Sequence, residues 1–186
     1  MRSFLTHIFG SSERRARTDR LLKAISAQAR QPVFYEELGV PDTLDGRFDL
    51  MALHGFLVFR ALRGKGRDGR TLAQDTTDLM FSAFDDAIRS LGVGDMGVPR
   101  RVKTMAKAYI GRSAAYDAAI DSGDMAAVEE VLDRNVYRAG EPPAGALGPL
   151  AAYVLKEAGR LKELPLERFQ AGDLAFGDVR DGRSGP

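Results

Sequence analysis

Within DLMALHGFLVFRAL, residues 49–62, two side chains break an apolar background: His54 in the middle and Arg60 near the end. An imidazole changes charge near neutral pH, so a histidine in an apolar setting is a candidate acid or base. The alternative is a core histidine whose ring nitrogens are satisfied by a carbonyl or a carboxylate. Asp75, Asp78, Asp85 and Asp86 form a second group. Carboxylate metal sites in helical bundles project inward and carry a histidine three residues after a glutamate. These four aspartates lie away from the apolar stripe of their segment with no histidine nearby, which fits a solvated face or a surface for a basic partner. The third candidate is RGKGRDGR, residues 63–70. A phosphate-binding loop needs GxxxxGK and then Ser or Thr after a strand. Here the glycines fall between two helical patterns, which reads as a flexible basic connection carrying Arg63, Lys65, Arg67 and Arg70.

The chain has no cysteine, and His7 and His54 are its two histidines. That excludes thiolate catalysis, disulfides and thiolate metal sites, and histidines so far apart cannot form a two-histidine helical metal motif. No cofactor, metal or catalytic residue is assigned. The 186 residues, 44% of them hydrophobic, suffice for one domain with a substantial core. Phe48–Leu62, the longest apolar run, has polar interruptions and falls short of the roughly 20 residues a membrane span needs. The net charge is +1, yet it is segregated: residues 1–30 and 60–112 each sum to +5, and residues 31–59 and 113–163 each to −4. Two basic stretches can meet an anionic surface locally even in a near-neutral chain.

The elements that would position these side chains are helical throughout. Leu21, Leu22, Ile25 and Ala29 recur at helical spacing. PVFYEELGVPDTLDG breaks the pattern, with Pro32 suited to a helix start and Gly39, Pro41 and Gly46 marking a turn. A central core helix over 48–62 follows, where Gly55 predicts the close approach of another helix. The next helix carries an unbroken stripe, including Leu72, Leu79, Met80, Phe84 and Ile88, which should pack against helix 48–62 and against Met105, Tyr109 and Tyr116. LGVGDMGVP ends it, Val98 and Pro99 open a helix to about residue 120, and two more helices are expected over about 124–137 and 145–163. No stretch alternates with period two long enough to be a strand. The expectation is a single compact all-α, multi-helix domain over residues 12–177, with a short N-terminal basic and apolar arm (1–11) and a flexible, disordered tail (178–186).

Two surfaces invite binding. In the arm, Phe4, Leu5, Ile8 and Phe9 share one helical face with arginines behind them, a weak form of the pattern that adheres to anionic bilayers. Its Arg-rich, acid-poor composition also matches a mitochondrial transit peptide. In the helix over 99–120, Arg100, Lys103 and Lys107 cluster to one side, with Arg101 and Arg112 on the other flank. Apolar residues near Phe56, Tyr109 and Ile110 are expected to line a client groove, with Lys103, Lys107 and Arg112 as its rim.

Several ordered blocks, FYEELGVPDT, FDLMALH, DLMFSAFD, LGVGDMGV and YIGRSAAY, resemble the ubiquinol–cytochrome c chaperone family. The resemblance runs from about Pro32 to Ile120, with weaker agreement in LAAYVLKEAGRL and FQAGDLAFGD. It implies a helical, non-enzymatic chaperone that binds newly made cytochrome b and assists biogenesis of the cytochrome bc1 complex. The resemblance also implies contact with the ribosome near its exit tunnel and a separate small partner subunit. The chain looks like a compact bacterial member, cytoplasmic and peripheral at the inner membrane, or mitochondrial if eukaryotic. Two other readings stay open: a ribosome-, RNA- or lipid-binding helical module using the basic stretches, and a small helical enzyme acting on a lipid or quinone through His54.

Overall fold

A computed structural model describes residues 2–90 and 97–180, with side chains from Ser12 onward. Eight helices make up most of these residues: α1 (Arg2–Ala29), α2 (Pro32–Glu36), α3 (Leu44–Arg63), α4 (Gly66–Ser90), α5 (Gly97–Ser122), α6 (Met125–Val136), α7 (Leu147–Glu163) and α8 (Leu166–Ala171). No strand occurs among the described residues. The all-α expectation therefore stands.

α3 sets the architecture. Thr43 opens it, its hydroxyl accepting from the Gly46 amide at 3.1 Å, with Asp45 in the first turn where the helix dipole favours a carboxylate. Fourteen of its twenty residues are buried, so it has no solvent face and must be surrounded. α1, α4, α5, α6 and α7 all pack on it. Gly55 permits one of these approaches: a Cβ there would stand 3.5 Å from the Met80 sulfur of α4 and 3.3 Å from the Phe59 ring. The main core joins all these helices, and a satellite cluster of Phe48, Ala52, Ile88, Val98 and Met105 ties the far ends of α4 and α5 to the start of α3. Within the expected stripe, Leu72, Met80 and Ile88 are buried, whereas Leu79 and Phe84 are half-buried. Phe84 keeps its contact with α3 through an edge-on approach to Phe48, ring centroids 5.0 Å apart.

Some expectations change. Residues 63–70 are not a loop: α3 ends at Arg63, α4 begins at Gly66, and Arg67 and Arg70 occupy its first turns. Local hydrogen bonding favours this tight corner, with the Lys65 amide donating to Leu62 O and that of Gly69 to Lys65 O. α1 runs unbroken across the expected arm boundary at residue 12. The side chains of Phe4, Leu5, Ile8 and Phe9 lie outside the described residues, as do LGVGDM (91–96) and 181–186. The expected tail begins too early, because Val179 is 2% exposed and Arg180 bonds Glu37 at 2.8 Å. A further short helix, α8, and a strap over 172–180 close the domain. No helix among the described residues is long and apolar enough to cross a membrane.

Candidate functional site

Two buried polar centres and the surface of α4 and α5 hold the residues that chemistry singles out. The first centre is His54. Its side chain has no solvent exposure, its Nδ1 lies 2.8 Å from Leu50 O, and its Nε2 lies 3.0 Å from the Tyr153 hydroxyl. A carbonyl only accepts, so Nδ1 carries the proton and donates. Nε2 then accepts from the Tyr153 hydroxyl, which in turn accepts from Gln28 Nε2 at 3.0 Å. Phe34 and Phe176 meet the imidazole edge-on at 5.1 and 5.7 Å. Burial pulls the imidazole down to about 4, so it is neutral at physiological pH. Both nitrogens are occupied and no solvent reaches the ring, which removes the geometric basis for His54 as an acid or base. It is a core histidine satisfied by a carbonyl and a phenol.

The second centre was not legible as a site. Asp49 is 3% exposed and accepts from Arg138 Nε at 2.9 Å and from Arg112 Nη1. The Arg112 guanidinium also lies over the Phe48 ring at 5.6 Å. Burial pushes the Asp49 carboxyl upward from its ordinary value, and the two guanidinium groups pull against that. Arg112 is accordingly not a rim residue: its side chain is 12% exposed and committed to Asp49. Five residues place it about 140° around the helix from Lys107. Phe56 is corrected likewise. It is 2% exposed and packs on Tyr116, centroids 5.4 Å apart, beneath α5 rather than in an open groove.

Where α4 meets α5 an apolar seam is half-buried: Phe81 meets Tyr109 edge-on at 5.8 Å, with Val102 and Phe84 beside them. Burial pushes the Tyr109 phenol up to about 12, so it stays neutral. Ile110, 69% exposed, shares the outer face of α5 with the exposed Arg100, Lys103 and Lys107, turned away from that seam. None of these three cations forms an ion pair among the described residues. On α4, Asp78 accepts from Gln74 at 2.8 Å and Asp85 pairs with Arg89 at 2.6 Å. Asp75 lines a depression between α1 and α4 together with Asp78, and there Arg14 of α1 grips it through two nitrogens; Asp86 is exposed. Among the described residues no three His, Asp or Glu side chains gather as metal ligands.

The other expected basic residues divide. Arg63 pairs with Asp117 at 2.7 Å, and Lys65 Nζ donates to Lys162 O at 2.6 Å, so both fasten helices together. Arg60, the second polar residue of the core segment, bonds Asp117 at 3.0 Å and also Asp121. Arg67 and Arg70 are exposed on the first turns of α4. Thus Ile110, Arg100, Lys103 and Lys107 share the exposed face of α5, while Tyr109 turns the other way toward Phe81 of α4, and Phe56, Arg112 and the residue 63–70 group lie elsewhere. Phe81 and Val102 are half-buried in the α4–α5 seam; helical spacing shows them as apolar but not as partly exposed.

Comparisons with known proteins agree with this architecture. The sequence profile of the family described as ubiquinol-cytochrome C chaperone matches residues 36–176. The crystal structure of the Cbp3 homolog from Brucella abortus superposes with a TM-score of 0.83 at 37% sequence identity, covering 96% of this chain and 98% of that one. No curated protein matches the sequence.

Proposed function

The chain belongs to the ubiquinol-cytochrome C chaperone family, and from that premise we propose that it is a non-catalytic assembly factor that holds newly made cytochrome b during biogenesis of the bc1 complex. The observation that supports the site assignment is the half-buried apolar seam of Phe81, Tyr109 and Val102 where α4 meets α5, which in this reading opens as the client groove. An apolar segment outside the bilayer needs apolar surface to cover it, and exposed apolar patches rimmed by polar groups are typical of such binding sites. His54 and Asp49, the centres of the two buried polar clusters, are sealed in the core and already satisfied, so they support the fold rather than turnover. In this reading the protein works at the cytoplasmic face of the inner membrane, where client helices enter the bilayer.

The test is a strain lacking the protein, complemented with the native chain or with Phe81→Ser/Tyr109→Ser. Deletion should lower cytochrome b and bc1 activity together, with the native chain restoring both and the groove variant restoring little. Normal bc1 levels in the deletion strain refute the assignment. Full rescue by a folded groove variant moves the client site elsewhere.

A further inference from the structure

α5 is fastened unevenly along its length. Ion pairs tie down its second half: Arg112 to the buried Asp49, and Asp117 to Arg60 at 3.0 Å and to Arg63 at 2.7 Å. Tyr116 and Ala119 of that half are buried in the main core. The first half packs instead on the satellite cluster, through Val98 and Met105. Its one ion pair among the described residues is the longer, exposed contact of Arg101 with Asp45 at 3.4 Å. Phe81, Phe84 and Tyr109 border both clusters, so the seam lies where the two cores meet. The helix is weakest close to that same boundary. Gly111 sits in its interior, where only proline is less favourable, and a Cβ there would meet nothing within 4 Å, so packing does not demand the glycine. Two residues on, the Ser113 hydroxyl donates to Tyr109 O at 2.8 Å, a back-bond of the kind that bends helices. Glycine paired with serine is a recurrent site of helix kinks. Gly159 of α7 is equally free of contacts but has no serine or threonine beside it.

We propose that the first half of α5 is a flap hinged at Gly111–Ser113, which swings away from α3 and α4 to admit an uncharged apolar helix of the client into the seam. Opening parts Phe48, Phe84 and Ile88 from Val98, Val102 and Met105, and faces so apolar are best covered by another apolar helix. The incoming helix replaces the contacts that opening removes, so it shifts the flap toward the open state. The second half stays in place, because its ion pairs and its buried Tyr116 belong to the main body. The proposal rests on the chaperone reading and adds how the seam opens and what enters it.

The chain has no cysteine, so pairs of spin labels can be placed on the full-length protein without background. Asp86→Cys/Lys103→Cys reports the distance from α4 to the flap, and Asp86→Cys/Ala118→Cys the distance to the anchored half. The probe is a leucine–alanine peptide of about 20 residues, the length of a membrane span, in a mild non-ionic detergent. Binding should lengthen the first distance by about 8–10 Å, the axial spacing an inserted helix needs, and leave the second nearly unchanged. Gly111→Ala should weaken peptide binding by about 2- to 5-fold, the helix preference of alanine over glycine. Gly159→Ala, which also adds a methyl to open space, should leave binding unchanged. Failure of the peptide to bind overturns the proposal. So do binding without a change in the first distance, equal lengthening of both distances, and equal affinities of the two alanine variants. Any of these results leaves the chaperone reading standing, because that reading is decided by bc1 levels in the deletion strain.

Discussion

Protonating His54 should unfold the protein from its centre, and the size of the effect follows from the geometry around the ring. In the folded chain Nε2 accepts from Tyr153 in a site without solvent, and the imidazole is pulled down to about 4 from its ordinary 6.5. The unfolded chain therefore binds a proton below pH 6.5 that the folded chain refuses until pH 4. Stability contributed by the neutral ring is complete above pH 6.5, falls as pH drops through the window from 6.5 to 4, and is fully lost below it. Integrating that linkage from pH 7 to pH 5 gives a loss of about 2 kcal/mol. The assay is urea denaturation at both pH values on the native chain and on His54→Gln, whose amide can donate to Leu50 O and accept from Tyr153. The carboxylates titrate alike in the two proteins, so the difference between their pH slopes isolates the histidine. Equal slopes would refute the argument, as would an NMR titration placing the His54 midpoint near 6.5.

Two other substitutions probe the rest of the core. Asp49→Ala should cost about 3–5 kcal/mol in chemical denaturation by stranding Arg112 against the core, and Asp49→Leu/Arg112→Met should recover most of it; a loss under about 1 kcal/mol would show that the pair is solvated. Gly69→Ala should destabilise by about 1–3 kcal/mol, because its Cβ would sit 2.5 Å from the Leu62 carbonyl at the α3–α4 corner. Gly159→Ala on α7 meets nothing within 4 Å and should stabilise by about 0.5–1 kcal/mol, so the two melting shifts must have opposite signs.

The helices and the central place of α3 were legible because apolar residues on every side of one segment leave it nowhere to go but inside. The stripe of α4 and the start of α5 at Val98–Pro99 were legible for the same periodic reason. What escaped was what depends on distant partners. Three glycines in RGKGRDGR read as a loop, yet Gly69 is there because α4 begins while still touching α3. Arg112 read as a surface cation because its acidic partner lies sixty-three residues earlier. Phe56 and Tyr109 are both apolar-stripe residues by spacing, and only the packing of α5 decides that one is covered and the other half-open. The exposed cationic face of α5 was visible in the sequence, since charge on one helix face is a local property.

The closure of α3 by α7 has a consequence for how the chain emerges during synthesis. Tyr153 reaches His54 across 99 residues and Gln28 across 125. Until α7 has left the ribosome, α3 is an apolar helix with one side bare and a histidine without its phenol. The protein is thus, for more than half of its own translation, the kind of exposed apolar chain that holdases shelter. Shortening the gene from its end would not trim a terminal helix from an intact body. Any stop before α7 is complete should yield a product that aggregates or is degraded, whereas chains ending at Arg180 retain the Tyr153 contacts with His54 and Gln28 and the Arg180–Glu37 pair.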